Sequence, residues 1–259
     1  MSSLTTRPQV FGQDLFVAQA VPQSHKLGEQ GITADGRKFR YVSVEPSAST
    51  VTGQTAGATL VAGNVIACTP QIANHLAMTP TAAAIGATQI LATLGATAAY
   101  ANQYSEGYAL ISTTPGNGIA YGVAGHALVA SAGVITLNLT DSVLVALTSS
   151  SRVDLQQNIY KGVIQAPVTT ATAVAVGVAP WALPALTTGG ATGQNFGWVQ
   201  TYGVCACLIT GTPAVGAMVA ATGAAAGAAA IASSTLQVIG SMISTGVSGK
   251  NNAVFLTID

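Results

Sequence analysis

Phe196-Gly-Trp-Val-Gln-Thr-Tyr202 and Val204-Cys-Ala-Cys-Leu-Ile209 are two β-prone runs that follow each other with only Gly203 between them. Aromatic and β-branched residues fit the pleated, half-buried surface of a sheet. Cys205 and Cys207 are two positions apart, so in a strand they face the same side. The runs therefore predict strands, and the cysteines predict a pair of small buried thiols.

The same runs lie inside a long stretch that carries no charge. Between Lys161 and Lys250 there are 88 consecutive positions without Asp, Glu, Lys or Arg. Only 6% of the whole chain is charged, against about a quarter in ordinary soluble domains. A surface so poor in charge promotes association. The stretch predicts a protein that is packed in an assembly or lies in a membrane.

The membrane alternative depends on Ala214–Ala232, which is uncharged and contains Gly223 and Gly227 at the GxxxG spacing of closely packed membrane helices. The segment consists mostly of Ala and Gly, which drive insertion much less than Leu, Ile, Phe or Val do. Pro213 precedes it, and Thr, Gly and Pro interrupt the neighbouring sequence. We therefore expect a loop or a short packed helix here, and no membrane contact.

Short β-prone runs separated by Gly, Pro, Asn and Ser recur along the chain at spacings of about 8–12 residues, which is typical of sandwiches and barrels. Gly31–Val44 reads as a hairpin with its turn at Asp35-Gly36. Ile135–Thr140 alternates apolar and polar residues, as a strand with one wet face does. Ile72–Gly86 is less β-like and can hold a short helical turn. Trp181 is expected to be a packing anchor.

The fold class expected is all-β, with one or two β-barrel or sandwich-like units and an extended N-terminal arm. Nine of the 16 charged residues lie in the first 45 positions. The charge distribution divides the chain into a charged N-terminal arm with a hairpin at 1–45, a β-rich domain at 46–160 and an uncharged β-barrel-like domain at 161–259.

Residues that could carry out chemistry are scarce. The three histidines, His25, His75 and His126, are the natural general bases near neutral pH. His126 could reach Asp141 or Asp154 in space, but a histidine bonded to a backbone carbonyl is the simpler interpretation. The spacing of cysteines and histidines fits no zinc site, and the zero net charge does not suit a nucleic-acid binder. We expect no enzyme activity, no cofactor, no metal and no direct contact with nucleic acid.

The C-terminal part has a recognisable order of motifs. It begins with Val174–Pro180 (VAVGVAP) and Phe196–Gly203 (FGWVQTYG), continues with Gly211–Val219, and ends with Val238–Gly246 and Val254–Ile258. This order resembles the head decoration or capsid cement proteins of tailed bacteriophages, in which such glycine and aromatic positions recur in small β-barrels. The similarity covers roughly the last 90 residues, and its motifs are not catalytic signatures.

The resemblance implies a structural virion protein made in the bacterial cytoplasm. Such a protein forms a homotrimer or another small oligomer on the outside of the capsid, where it contacts the major capsid protein and bridges capsomers. A possible capsid contact is formed by Arg37, Lys38 and Arg40, whose charges would orient the docked protein. The alternatives are another phage lattice, tail or fibre subunit, or a bacterial surface or membrane protein.

Overall fold

The computed structural model describes residues 18, 23–45, 58–168, 173–185, 195–221, 225–233 and 236–259. Within these ranges the chain forms fifteen β-strands and no α-helix, so the expected all-β class with barrel-like units is confirmed. The strands are β1 (Gln30–Ile32), β2 (Lys38–Ser43), β3 (Val65–Ala67), β4 (Gln89–Thr93), β5 (Tyr108–Ile111), β6 (Ala120–Gly125), β7 (Val134–Leu139), β8 (Val153–Gln156), β9 (Ile164–Gln165), β10 (Ala175–Val178), β11 (Phe196–Ile209), β12 (Met218–Ala220), β13 (Ala230–Ile231), β14 (Val238–Met242) and β15 (Lys250–Thr257).

Ten strands form the larger sheet, which is organised around the 14-residue strand β11. The first half of β11 pairs with β2 and also meets β10 at Gln200, and its second half pairs with β15. The register with β2 shifts between Gln200 and Tyr202, and Gly203 follows with a φ of +89°. Glycine takes this conformation without strain. The two β-prone runs therefore form one bent strand that serves two sets of neighbours.

The end of the larger sheet curls into a barrel-like unit, here called the C-terminal barrel, which consists of the second half of β11 together with β12 to β15. The strand order runs from β11 through β15, β14 and β12 to β13. The sheet then returns to β11, because Ile209 and Ala229 form a parallel bridge and the Ala229 amide donates to the Leu208 carbonyl at 2.8 Å. The residues buried inside include Cys205, Cys207, Ile209, Val219, Ile239, Met242, Val254 and Leu256.

The other five strands form a second unit, here called the inserted barrel, with the antiparallel order β4-β7-β6-β5-β8. Its two edge strands are joined by the segment 78–83, through the bridges Met78↔Val153 and Pro80↔Ala92. The unit has a core of its own, drawn entirely from residues 78–155. Burial alternates along β7, so the predicted strand with one wet face at Ile135–Thr140 is confirmed.

The inserted barrel interrupts the larger sheet. β3 and β9 are direct neighbours, with Ile66 opposite Gln165 and Ala67 opposite Ile164. The chain therefore leaves the larger sheet after Ala67 and returns to it at Ile164. The sheets group the chain differently from the segments 1–45, 46–160 and 161–259, because β1 to β3 share a sheet with β9 to β15. Pairing between strands that are far apart in the sequence does not alter the composition along the chain, so composition does not reveal it.

The predicted hairpin at Gly31–Val44 is confirmed as β1 and β2, with its turn at Gly36. It does not extend away from the body as an arm. β2 pairs with β11 from Phe196 to Tyr202, and Phe39 and Tyr41 are fully buried beside Trp198. Apolar side chains at alternate positions of β2 are the physical reason, since they gain burial only against another layer. The rest of the arm, 1–17 and 19–22, lies outside the described residues.

Three smaller expectations have clear outcomes. The short helical turn expected within Ile72–Gly86 is a 3₁₀ helix at Ala73–His75. The Ala-rich segment Ala214–Ala232 contributes β12 and β13, and within the described ranges no helix has the length and apolar character needed to span a bilayer. Trp181, which is expected to be a packing anchor, is 51% exposed and so is not part of a buried core.

Candidate contact surface

The outer face of the C-terminal barrel presents a row of side chains that crosses four neighbouring strands. Met218 on β12 lies opposite Ser241 on β14, Ser241 lies opposite Phe255 on β15, and Phe255 lies opposite Val204 on β11. Met218 is 63% exposed and Val204 is 54% exposed. Side chains alternate between the two faces of a strand, so these residues point outward while Cys205 and Val254 fill the interior.

The outer face is defined as this row together with its outward neighbours Tyr202, Ala206, Leu208 and Ala253. It contains no Asp, Glu, Lys or Arg, because its strands come from the uncharged stretch and from the apolar part of β15. The Tyr202 and Phe255 rings meet edge to face, with their centroids 5.3 Å apart. Such a face can be covered by a partner without the cost of removing water from a charge.

Two of the three predicted capsid-contact residues lie at one margin of the outer face. The Lys38 ammonium lies 4.9 Å from the centre of the Tyr202 ring. Arg37 packs beside Gly203, and its Nε donates to Oδ2 of Asp35 at 2.7 Å. Both side chains keep substantial contact with solvent. Lys38 therefore places a positive charge next to an uncharged surface, and Arg37 places its ion pair with Asp35 there.

The third predicted contact residue, Arg40, is bound within the chain. Its Nη2 lies 2.7 Å from Oδ1 of Asp259, its Nε lies 3.0 Å from Oδ2, and its Nη1 donates to the Gly28 carbonyl. Burial alone would raise the pKa of Asp259, but the hydrogen bonds from Arg40 and Gln30 outweigh it and lower that pKa. Arg40 therefore joins the hairpin to the end of β15, and its guanidinium is largely committed to that link.

The histidine singled out from sequence is held by backbone groups. Nε2 of His126 accepts a hydrogen bond from the Tyr104 amide at 3.1 Å, so Nδ1 carries the proton and donates to the Ala127 carbonyl at 2.8 Å. Burial lowers its pKa, which favours the neutral ring. The simpler interpretation made from sequence is the one observed, and both ring nitrogens are already occupied.

The predicted pair of buried thiols is confirmed. Cys205 and Cys207 are 6% and 0% exposed inside the C-terminal barrel, and both are free. Burial raises the pKa of Cys205 to about 12 and raises that of Cys207 as well. Since the thiolate is the reactive form, these side chains behave as small apolar residues.

Two buried charged residues, which the sequence did not single out, lie where the inserted barrel joins the larger sheet. Glu45 is 3% exposed and Lys161 is 6% exposed there. Burial raises the pKa of Glu45 to about 8 and lowers the pKa of Lys161 to about 8. In the sequence Lys161 only marks the start of the uncharged stretch, and no local pattern around either residue indicates burial.

A groove opens beside this junction. One part, of about 450 Å³, is lined by Lys26, Glu106, Tyr108 and Asp141 among others, and an adjoining part of about 330 Å³ includes Tyr160. Both oxygens of the Glu106 carboxylate already accept hydrogen bonds, from the Gln23 side chain and the Leu27 amide. Glu106 is therefore already bonded within the chain.

Comparisons of the chain with models of protein families, with curated proteins and with solved structures find no match.

Proposed function

We propose that the chain is a structural virion protein that decorates the outside of a bacteriophage capsid and bridges its capsomers. The observation that carries this proposal is the uncharged outer face of the C-terminal barrel, and the motif resemblance of the same region supports it. The partners proposed are the major capsid protein and further copies of the chain, in a homotrimer or another small oligomer.

The physical case for docking rests on apolar burial. Each Å² of apolar surface removed from water contributes about 25 cal/mol, and a stable interface covers roughly 800 Å² on each partner. An uncharged β-surface can gain this energy without leaving a charge unpaired. Many copies on one shell multiply a modest interface through avidity, which suits a protein that reinforces a lattice.

Arg37 and Lys38 fit the role of orienting charges at the margin of this contact. Charges at the rim of an interface act mainly on the rate and register of association. Arg40 was part of the same hypothesis, and its ion pair with Asp259 gives it a second role within the chain. We expect Arg37→Ala with Lys38→Ala to reduce the occupancy of particles and its salt dependence. Unchanged occupancy and salt dependence would reject the contact.

The decisive experiment counts copies in particles of the phage that encodes the chain. Quantitative mass spectrometry should find hundreds of copies per particle, and mild denaturant should release them while the shell stays intact. A handful of copies would favour a tail or fibre subunit. Absence from particles, with recovery in a bacterial envelope fraction, would favour a surface or membrane protein and would reject the proposal.

A further inference from the structure

The inserted barrel is attached through two chain crossings, 68–72 and 157–163, and Lys161 lies in the second one. Its ammonium reaches into the inserted barrel and donates to the Asn102 carbonyl at 2.5 Å and to Oγ of Ser105 at 2.6 Å. A longer contact of 3.4 Å reaches the Ser105 carbonyl. A buried ammonium with several acceptors is far less costly than an unpaired one, so these contacts tie the crossing to the 102–105 turn.

Glu45 approaches the same crossing from the end of β2. The Glu45 amide donates to the Val163 carbonyl at 3.1 Å, and the Gly162 amide donates to Oγ of Ser43. Oε2 of Glu45 is buried and has no hydrogen-bond partner in the described structure. A Cβ on Gly162 would overlap this oxygen, so the carboxyl group occupies the space that the glycine leaves open.

Burial favours the protonated form of Glu45 and the deprotonated form of Lys161. A buried carboxylate without a partner is costly, whereas the protonated carboxyl group carries no charge to desolvate. The Lys161 ammonium is also penalised by burial, although hydrogen bonds offset part of that cost. The stability of the junction must therefore depend on which of the two groups holds a proton.

We propose that Glu45 and Lys161 form a pH-sensitive latch that sets how firmly the inserted barrel is held against the larger sheet. This inference rests on the fold and does not depend on the proposed function.

The groups that face the latch come from several elements. Lys161 is faced by Glu106 and Glu45. Its positive charge adds to the effect of burial in lowering the pKa of His126. Tyr104 lies in the 102–105 turn and Tyr100 lies just before it. Burial raises the pKa of both phenols well above their ordinary value. Nδ1 of His75 hydrogen-bonds to the Tyr104 hydroxyl, and burial lowers the pKa values of His75 and His126. Among these groups, the pKa values of Glu45 and Lys161 coincide at about 8.

The direction of the pH dependence follows from linkage. The pKa of Glu45 is raised from 4.5 to about 8, so its contribution is complete below pH 4.5 and is lost as the pH rises to about 8. The pKa of Lys161 is lowered from 10.5 to about 8, so its contribution is complete above pH 10.5 and is lost as the pH falls to about 8. The latch is therefore weakest near pH 8.

Hydrogen exchange measured by mass spectrometry on the full chain tests the latch. Peptides covering 100–107 and 157–163 are followed from pH 5 to pH 10, with correction for the intrinsic exchange rate. One proton of difference changes an opening constant by up to about tenfold per pH unit. The wild type should show greatest opening near pH 8 and less on both sides.

Two variants separate the two limbs of this profile. Glu45→Gln keeps the shape of the side chain and should flatten the limb below pH 8, while opening still falls above it. Lys161→Met should flatten the limb above pH 8 and increase opening of 100–107 severalfold. Lys250→Met, at an exposed lysine, is the matched control and should follow the wild type.

An unchanged acid limb in Glu45→Gln would overturn the latch, and so would a profile without a maximum near pH 8 in the wild type. If Lys161→Met does not fold, Glu45→Gln decides the question alone, because it only exchanges a carboxyl group for a carboxamide of nearly the same shape. Neither outcome depends on binding to a particle, so failure here is distinguishable from failure of the proposed function.

Discussion

Gly162 combines two requirements that only glycine meets. Its φ is +62°, a conformation that costs other residues about 1–2 kcal/mol. The position of its missing Cβ is also taken by the carboxyl group of Glu45, with Gln157 and Thr69 close by. At the residue scale, the buried junction is therefore possible because one side chain is absent where another must fit.

Replacing Gly162 by alanine should destabilise the protein by about 2–5 kcal/mol, since backbone strain of about 1–2 kcal/mol adds to overpacking of about 1–3 kcal/mol. Gly86→Ala is the matched control, because Gly86 has a φ of +87° and no atom within 4 Å of its ideal Cβ. The control should show the strain alone. Urea denaturation of both variants measures the difference, and equal losses would show that Glu45 does not restrict this site.

β11 shows how one element serves two purposes. Its inward residues Cys205 and Cys207 fill the C-terminal barrel, and the residues between and beside them form the outer face. The bend at Gly203 allows the first half of β11 to pair with β2 of the hairpin and the second half to pair with β15 of the C-terminal barrel. At the element scale, the interior and the proposed contact surface depend on the same alternation along one strand.

The thiols on the inner face should be inert in the folded protein. All three cysteines are buried and free, and a raised pKa leaves little thiolate at neutral pH. Titration with a thiol reagent at pH 8 should find no rapidly reacting group in the native state and three in denaturant. Rapid reaction of Cys205 or Cys207 in the native state would show that the C-terminal barrel opens readily.

A charge on the outer face should abolish docking without unfolding the chain. Val204→Arg introduces a cation at a side chain that is 54% exposed, and Val134→Arg introduces the same change at an equally exposed valine of β7. Exposed substitutions usually change stability by no more than about 0.5 kcal/mol. We expect Val204→Arg to lose self-association in light scattering and binding to particles, while Val134→Arg keeps both. Loss in both variants, or in neither, would exclude the outer face as the contact.

The whole molecule consists of a sheet that is interrupted by a second unit with its own core. The crossings lie together because β3 and β9 are neighbours, and the inserted barrel closes through the segment 78–83. Hydrogen bonds join the units: the Leu27 amide donates to the Glu106 carboxylate, the Asn158 side chain to the Glu106 carbonyl, and the Lys161 ammonium to the Asn102 carbonyl. Such an arrangement suits two units that fold separately and are then held in one orientation.

Residues 73–158 should therefore fold when expressed alone. Their core uses only residues 78–155, so removal of the larger sheet exposes little of it. Far-UV circular dichroism should show a β spectrum, and heating should give one cooperative transition. A fragment with a coil spectrum and no transition would mean that the larger sheet is required for the inserted barrel to fold.

Local patterns in the sequence were sufficient for several features. The turn at Asp35-Gly36, the alternation of Ile135–Thr140 and the inward pair Cys205 and Cys207 each depend on neighbours within a few positions. The all-β class follows from the same kind of information. The partial exposure of Trp181 does not follow from such patterns, because burial depends on which other segment of the fold reaches the side chain.

The sequence by itself determined that the chain is built from β-strands and that its C-terminal part presents a surface without charge. Only the tertiary structure decided that β1 to β3 join the C-terminal strands, that Arg40 binds Asp259, and that Glu45 and Lys161 are buried together. The physical reason is distance along the chain. Strand propensity and charge are properties of nearby residues, whereas pairing and burial join residues that are more than a hundred positions apart.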